Sequence, residues 1–91
     1  MVKREIQSRQ ALYAAEGGIE WAKAHLLINP ALRVGSYSTD MGRVNIQIKL
    51  SGQQYQVISS GYSGSAVRKI EETIEVKSEK WVISGYQELH Q

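Results

Sequence analysis

The chain contains no cysteine, no phenylalanine, a single proline and no long apolar run. Without cysteine, disulfide bonds and thiolate metal sites are excluded. Uncharged and largely apolar runs, such as residues 24–28, are far shorter than the about 20 residues that a membrane-spanning helix needs. A basic segment followed by an apolar one, which would indicate a secretory signal, is also absent. The sequence therefore predicts a soluble domain.

Charge of either sign is not concentrated anywhere in the chain. The 11 lysine and arginine residues and the 9 acidic residues leave a net charge of +2, and the basic residues are spread along the sequence. A nucleic-acid-binding domain usually gathers positive charge on one face or one helix. This distribution argues against direct nucleic-acid binding. Hydrophobic residues at 42% and charged residues at 22% are typical of an ordinary folded domain.

The first third of the chain has the periodicity of one long helix. No proline occurs between Arg4 and Ile28, and the apolar residues recur mostly at helical spacings. Asn29 and Pro30 end the segment, because the proline ring disfavours helical geometry at the preceding residue. We expect a helix over about residues 4–28, roughly 38 Å long. Its predicted packing or assembly face consists of Ala11, Leu12, Ala15, Ile19, Ala22 and Leu26.

Two adjacent glycines, Gly17 and Gly18, interrupt this helical pattern. Each costs about 1 kcal/mol of helix propensity relative to alanine, so the pair requires a compensating role. In one interpretation, the missing side chains let the sheet or a loop pack closely on the helix. In the other, the pair is a flexible point or a close-approach point where neighbouring helices meet in an assembly.

A loop is predicted at residues 29–43. After it, apolar residues recur at every second position and no longer at every third or fourth, which indicates strands. Strands are predicted at residues 44–50, 55–60, 66–77 and 81–83, with turns at residues 51–53, 61–65 and 78–79 and a bulge in the third strand. The sequence thus predicts an α+β fold in one domain, residues 1–91. A long N-terminal amphipathic helix would pack on a three- to four-stranded antiparallel meander sheet within residues 44–85. Because strands of five to eight residues would cover roughly 20–25 Å, the first helical turns are expected to project beyond the sheet.

The sequence offers few residues for catalysis. The two histidines are His25, near the end of the predicted helix, and His90, beside the last residue, and a metal site built on both is not expected. His25 is instead expected to be partly exposed and to interact with the C-terminal end of the helix. Ser63 lacks the spacing of a nucleophile elbow, and no nucleotide-binding glycine pattern occurs. We therefore expect no enzyme activity, no metal and no cofactor.

Glu71, Glu72 and Glu75 form the densest acidic group of the chain. On a strand, Glu71 and Glu75 face one side and Glu72 faces the other. Carboxylates that are buried together can act as an acid and a base. Lys69 and Lys77 share the alternation of Glu71 and Glu75, however, which favours a solvated strand face of alternating charge.

Every aromatic residue of the chain is a tyrosine or a tryptophan, so each ring carries a polar group. Such rings commonly lie at the edge of a small core with the polar tip in water. A stacking surface for single-stranded nucleic acid or a sugar is the alternative. Trp21 and Trp81 are the candidates for the helix-to-sheet contact or for a subunit interface.

Two segments carry a pattern known from one protein family. Residues 10–22 read Gln-Ala-Leu-Tyr-Ala-Ala-Glu-Gly-Gly-Ile-Glu-Trp-Ala, and residues 58–71 join a strand, a glycine-containing turn and a strand. The first segment resembles the part of the first helix that follows the transmembrane half in minor type IV pilins and pseudopilins, where Tyr-Ala-Ala-Glu-x-Gly recurs. The second is similar to the region near the end of such proteins. The order of helix, loop and hairpins also agrees with the family's architecture.

The resemblance implies a structural subunit of a type IV pilus, a type II secretion pseudopilus or a DNA-uptake filament. Other pilin or pseudopilin subunits would be its partners. The implied location is extracytoplasmic, with the subunit anchored in the membrane before assembly and then part of a cell-surface or periplasmic filament.

Family members begin with a basic leader, a processing site and an apolar half-helix, none of which occurs in this sequence. We therefore expect that an N-terminal membrane anchor was removed and that Met1 is an added start. Glu16 is not the counterpart of the acidic residue that the family has near its processed N-terminus.

A free-standing small binding module is the second hypothesis. It would recognise a peptide or a carbohydrate through an exposed face or edge of its sheet. About 20 apolar residues encoded upstream of Val2 would favour the filament subunit, and an ordinary soluble start would favour the binding module.

Overall fold

The computed structural model describes residues 2–40, 42–77 and 80–89, and the side chains from residue 6 onward within these ranges. Within them, the helix α1 (Val2–Ile28) is followed by β1 (Val34–Thr39), β2 (Gly42–Ser51), β3 (Gln54–Ser63), β4 (Ala66–Lys77) and β5 (Lys80–Leu89). Successive strands pair antiparallel in chain order and form one sheet, with β1 and β5 at its edges. α1 packs on one face of this sheet, over β2, β3 and β4.

The predicted fold class is wrong in the size of the sheet. Instead of three to four strands on a dominant helix, the described residues form a five-stranded sheet that holds more of the chain than the helix does. The additional strand is β1, which lies inside the predicted loop at residues 29–43. Its serines and threonine give no alternation of apolar residues, so the sequence does not reveal it. β1 is held by backbone pairing with β2, and its Tyr37 packs against the core.

β5 is much longer than the strand predicted at residues 81–83, and the sheet continues past residue 85. The sequence Ser-Gly after Ile83 looks like a turn, yet the strand passes through it. The pairing shifts between Thr73 and Ile74 of β4, because Ser84 is an extra residue on β5. The predicted bulge therefore falls on the partner strand, where the Ser84 hydroxyl donates a hydrogen bond to the Thr73 carbonyl at 3.2 Å.

Two hairpins are closed by glycines with left-handed backbone geometry. Gly52, between β2 and β3, has a φ of 61°, and Gly64, between β3 and β4, has a φ of 58°. Two-residue hairpin loops require such angles, which glycine adopts without steric cost. The turn predicted at Ser78 and Glu79 lies outside the described residues.

The core lies between α1 and the helix-facing side of the sheet. Its largest fully buried apolar side chains are Val44, Ile46, Val57, Ile70 and Ile74. The helix comes close to the sheet at Gly61 of β3, where an added Cβ would lie 2.0 Å from the carbonyl oxygen of Ala11. The backbones of α1 and β3 are therefore in direct contact, and any larger residue at this position would push the helix away.

The sheet reaches further along α1 than strands of the predicted length would, whereas the expected projection of the first helical turn falls on residues 2–5, whose side chains lie outside the described ones. The strands β2 to β5 have 10 to 12 residues each, more than the five to eight expected. Arg68 Nη1 donates a hydrogen bond to Ser8 Oγ at 2.6 Å, and Ser63 Oγ donates one to Gln10 Oε1 at 2.9 Å. These contacts tie the second and third turns of the helix to β3 and β4.

Candidate functional site

The predicted packing or assembly face of α1 lies against the domain's own sheet. Ala11, Ala15 and Ala22 are fully buried, Ile19 and Leu26 are nearly so, and Leu12 is partly buried against the same core. β2, β3 and β4 occupy this side of the helix. A neighbouring subunit would therefore have to contact α1 on another side.

The two helix glycines have different surroundings. Gly18 is buried, and an added Cβ would lie 2.0 Å from Ser59 Oγ and 2.7 Å from Val44 Cγ1. Gly17 is exposed, and an added Cβ would meet the Tyr37 hydroxyl at 3.5 Å, an ordinary contact. Gly18 therefore serves the close approach of helix and sheet, whereas no such requirement acts on Gly17 among the described residues.

Trp21 and Trp81 belong to two different aromatic groups, and both bridge the helix and the sheet. Trp21 covers Gly35 of β1 and stacks on Tyr37 of the same strand, with ring centroids 5.8 Å apart. Trp81 meets Tyr55 edge to face at 6.0 Å, and its indole nitrogen donates a hydrogen bond to the Lys23 carbonyl at 3.2 Å. Both rings are half-buried.

The described histidine, His25, is exposed near the end of α1. Its ring stacks on Trp21 with centroids 3.8 Å apart, and its Nδ1 donates a hydrogen bond to the Trp21 carbonyl at 2.8 Å. This contact holds the side chain on the last turns of the helix. His90 lies outside the described residues.

A cleft of about 420 Å³ opens between α1 and the edge strand β5. It forms because α1 packs over β2, β3 and β4 and leaves the helix-facing side of β5 partly uncovered. Tyr86 and Ile83, on that side of β5, both remain more than half exposed. The lining consists of Tyr13, Glu16, Gly17, Ile19 and Glu20 of the helix, Glu72 of β4 and Tyr86 of β5.

Polar contacts hold β5 to the rest of the domain on both sides of this cleft. Towards the C-terminal end of α1, Trp81 is bonded to the Lys23 carbonyl. Towards the N-terminal end, Arg68 forms a bidentate ion pair with Glu88 of β5, with Nη2 and Oε1 2.6 Å apart, and also reaches Ser8 of the helix. The hydrogen bonds to Glu88 raise the pKa of Arg68 and outweigh its burial, and the charge of Glu88 adds to the rise.

The buried carboxylate of Glu72 lies at the base of the cleft, with 4% of the residue exposed. Lys23 Nζ lies 2.8 Å from Glu72 Oε1 and 3.3 Å from Glu20 Oε1, so its ammonium group bridges the two. At 2.8 Å, the Lys23 ammonium group also donates a hydrogen bond to the buried Glu72 oxygen. The ion pair compensates the cost of burying the Glu72 carboxylate.

The protonation states in the cleft follow from these neighbours. Burial lowers the pKa of Lys23, but its hydrogen bond and ion pair with Glu72, and then those with Glu20, outweigh this effect, and the net pKa is raised. Burial raises the pKa of the Tyr86 phenol, and the charges of Glu16, Glu72 and Glu88 raise it further. At neutral pH the cleft thus holds a charged Lys23 and a neutral Tyr86.

The arrangement suits the binding of a positively charged group. Carboxylates accept hydrogen bonds from ammonium and guanidinium groups, and tyrosine rings attract cations on their faces. Among the described residues, no group of three or more histidine, aspartate or glutamate side chains could hold a metal ion. The cleft therefore offers acceptors and rings for an organic cation.

Sequence patterns alone do not reveal this cleft. By helical spacing, Glu16, Glu20 and Lys23 fall away from the predicted apolar face of the helix, and the strand alternation separates Glu72 from Glu71 and Glu75. The one available signal is that Glu72 shares the alternation of Ile70 and Ile74, which are buried. Tyr13 and Tyr86 carry no such signal, because their meeting depends on the position of β5 beside the helix.

Comparisons of the chain with protein-family models, with curated proteins and with solved structures found no match. Within the described residues, no helix combines the length and the apolar character that a membrane span requires. The resembling segments and the geometry of the site are thus the remaining indications of function.

Proposed function

We propose that this domain is a non-catalytic structural subunit, a minor pilin or pseudopilin, of a type IV pilus, a type II secretion pseudopilus or a DNA-uptake filament. Its partners are other pilin or pseudopilin subunits. The subunit is anchored in the membrane by an N-terminal segment before assembly, and afterwards belongs to an extracytoplasmic filament at the cell surface or in the periplasm.

The observation that carries this proposal is the placement of the resembling segment, residues 10–22. Its small residues, among them Ala11 and Ala15, lie on the sheet, whereas Tyr13, Glu16 and Glu20 are exposed on the other side. A helix that its own sheet covers along one side only can pack against helices of neighbouring subunits along the other. This exposed side supports an assembly role.

The test uses the absence of cysteine from the chain, which allows single cysteines to be introduced without background. In the complete natural gene product, expressed in its own cells, Tyr13→Cys and Glu20→Cys should be linked into dimers and higher oligomers by a short bismaleimide. The reason is that both positions lie on the uncovered side of α1. Immunoblots of denaturing gels would show the linked species.

Gln47→Cys is the matched control, because this residue is exposed on the sheet face opposite the helix. The proposal predicts much weaker linking for Gln47→Cys than for the two helix variants. Equal linking at all positions, or no linking at the helix positions in cells that assemble filaments, contradicts it.

The second candidate is a free-standing module that binds a peptide or a carbohydrate through its sheet. It is favoured by the sheet face opposite the helix, which carries a depression of about 180 Å³ lined by Ser51, Gln54, Gln56 and Thr73. Amide and hydroxyl groups of this kind can donate and accept hydrogen bonds with sugar hydroxyls. Binding that Gln56→Ala abolishes and Glu20→Ala leaves intact, measured by calorimetry, would favour this function over the first.

A further inference from the structure

The outer edge of β5 is the longer of the two free edges of the sheet. β5 has 10 residues and pairs with β4 alone among the described strands, whereas the other edge strand, β1, has 6 residues. The backbone N–H and C=O groups of β5 that point away from β4 therefore have no strand partner within the described part of the chain. An edge of this kind is a template to which another strand can be added.

The middle of β5 lacks the side chains that commonly prevent such pairing. Residues 81–87 contain no charged residue and no proline. Large apolar side chains are exposed on both faces of the strand, since Ile83 is 54% exposed, Tyr86 57% and Val82 41%. Natural edge strands are commonly protected by lysine or proline. An uncharged segment that is rich in aromatic and β-branched residues instead favours pairing with an identical segment.

The bulge at Ser84 determines how two copies of β5 can pair. Because of this extra residue, Ile83 and Tyr86 face the same side of the sheet, and they lie opposite Ile74 and Glu72 of β4. Residues that oppose each other in an antiparallel pair share a face. Two β5 strands meet this condition along their whole length when Ile83 of each strand lies opposite Tyr86 of the other. The two bulges then meet at the twofold axis.

This register is also complementary in charge and in apolar contact. It places the following residues of the two strands opposite each other: Lys80 and Leu89, Trp81 and Glu88, Val82 and Gln87, Ile83 and Tyr86, Ser84 and Gly85. Like charges do not meet in any of these pairs. The aromatic and β-branched side chains of Tyr86 and Ile83 meet twice, and such cross-strand pairs stabilise antiparallel sheets. A shift by one residue would place helix-facing residues of one strand opposite outward-facing residues of the other.

We propose that the outer edge of β5 is a homodimer interface, at which two copies of this chain pair antiparallel in this register and join their sheets into one. Both helices then lie on the same side of the joined sheet, because the twofold axis is perpendicular to it. A single strand pair buries little surface, so the dimer is weak and reversible. The interface uses the sheet edge and does not depend on the proposed function.

The absence of cysteine from the chain allows the register to be tested by disulfide formation. Val82→Cys and Gln87→Cys, both at exposed positions, are made on separate chains that a tag distinguishes by mass. Mixed in concentrated solution with a glutathione redox buffer, they should form the mixed disulfide, because opposed Cα atoms lie about 4.5–5.5 Å apart. Mass spectrometry measures the products. Each variant alone should give at least about fivefold less dimer, because its two cysteines would lie about 17 Å apart along the strands.

Gln47→Cys mixed with Val82→Cys is the control, because Gln47 is exposed on the outward-facing side of β2, away from the β5 edge. A mixed disulfide of Val82→Cys and Gln87→Cys that does not exceed this control would overturn the inference. Equal linking of Val82→Cys with itself and with Gln87→Cys would also overturn it. That result would mean that the edge pairs without a fixed register, as it would with any extended chain.

Sedimentation equilibrium tests the association without cysteines. The unchanged chain should show a reversible equilibrium of monomer and dimer. Ile83→Lys should weaken dimerisation at least about tenfold, because a lysine on an edge strand opposes pairing. The matched control is Leu50→Lys, since Leu50 is 50% exposed on β2 and distant from the β5 edge, and dimerisation should change less than about twofold. A chain that stays monomeric at every concentration, or equal weakening by the two variants, would overturn the inference.

Discussion

The adjacent residues Gly17 and Gly18 share a helix turn but not a role. Gly18 is pressed against Ser59 and Val44, whereas Gly17 faces open space beside the Tyr37 hydroxyl. Sequence reasoning treats them as a pair, because the cost of glycine in a helix is the same at both positions. Which of them the sheet requires depends on the rotation of α1 about its axis.

Alanine at the two positions should therefore act in opposite directions. Gly18→Ala should lower the free energy of unfolding by about 1–3 kcal/mol, since the new methyl group overlaps Ser59 and Val44. Gly17→Ala should raise it by up to about 1 kcal/mol through helix propensity. Urea unfolding followed by circular dichroism measures both, and each variant is the control for the other. Changes of the same sign would contradict the packing described at Gly18.

Lys23 is more important for stability than its place on the polar side of the helix indicates. Only 14% of its side chain is exposed, and its ammonium group neutralises the buried Glu72. Lys23→Met should cost about 1–3 kcal/mol, because it leaves a buried carboxylate without a countercharge. Adding Glu72→Gln to Lys23→Met should recover part of the loss.

The comparison variant for Lys23 is Glu20→Gln, which removes the other partner of the same ammonium group. The Glu20 side chain is 75% exposed, so this change should cost less than about 0.5 kcal/mol. Equal costs for Lys23→Met and Glu20→Gln in urea titrations would show that Glu72 is not the residue that requires Lys23.

At the scale of elements, the sequence locates α1 and the hairpin of β2 and β3, because their side chains alternate between core and solvent with a clear period. Val44, Ile46 and Ile48 provide that pattern in β2. It fails for β1, where backbone pairing at a sheet edge needs no apolar alternation. It also fails for β5, because the bulge at Ser84 changes the alternation in the middle of the strand. The cleft depends on β5, so it could not be predicted either.

Arg68 joins three elements at the N-terminal side of the cleft, since it contacts Ser8 of α1 and Glu88 of β5 from its place on β4. Arg68→Ala should therefore loosen this part of the helix. We expect amide hydrogen exchange around Ser8 to become roughly tenfold faster. This change corresponds to a loss of about 1.4 kcal/mol in local stability. Exchange around Ala22 should change much less.

Lys69→Ala is the control for Arg68→Ala, because Lys69 is the next residue of β4 and points to the opposite face of the sheet. Its exchange pattern should remain close to that of the unchanged chain. Equal acceleration by both variants, or acceleration spread evenly over α1, would mean that Arg68 does not hold the helix locally.

At the scale of the whole molecule, the two sides of the helix differ. On the β1 side, Trp21, His25 and Tyr37 fill the space between helix and sheet with stacked rings. On the β5 side, the space is open and lined by carboxylates. The sheet order equals the chain order, so each strand pairs with its neighbours in the sequence. The asymmetry gives the helix one closed side and one open side.

Stability should decrease at alkaline pH, because the fold raises the pKa values of Lys23, Tyr37 and Tyr86. Burial raises the pKa of Tyr37 and Tyr86, and the carboxylates around Lys23 raise its pKa against the effect of burial. In the unfolded chain these groups lose their protons near their ordinary values of about 10 for tyrosine and 10.4 for lysine. Their contribution is therefore complete below about pH 10 and is lost as the pH rises through the higher folded-state values.

Urea unfolding at a series of pH values measures this loss. The free energy of unfolding should stay level between about pH 8 and pH 9.5 and fall above about pH 10. Tyr37→Phe should make the fall shallower, because it removes a phenol whose ionisation the folded state opposes. Two outcomes would contradict this prediction: a free energy of unfolding that rises above pH 10, or a fall that is equally steep in Tyr37→Phe. The second would show that the fold does not raise the pKa of Tyr37.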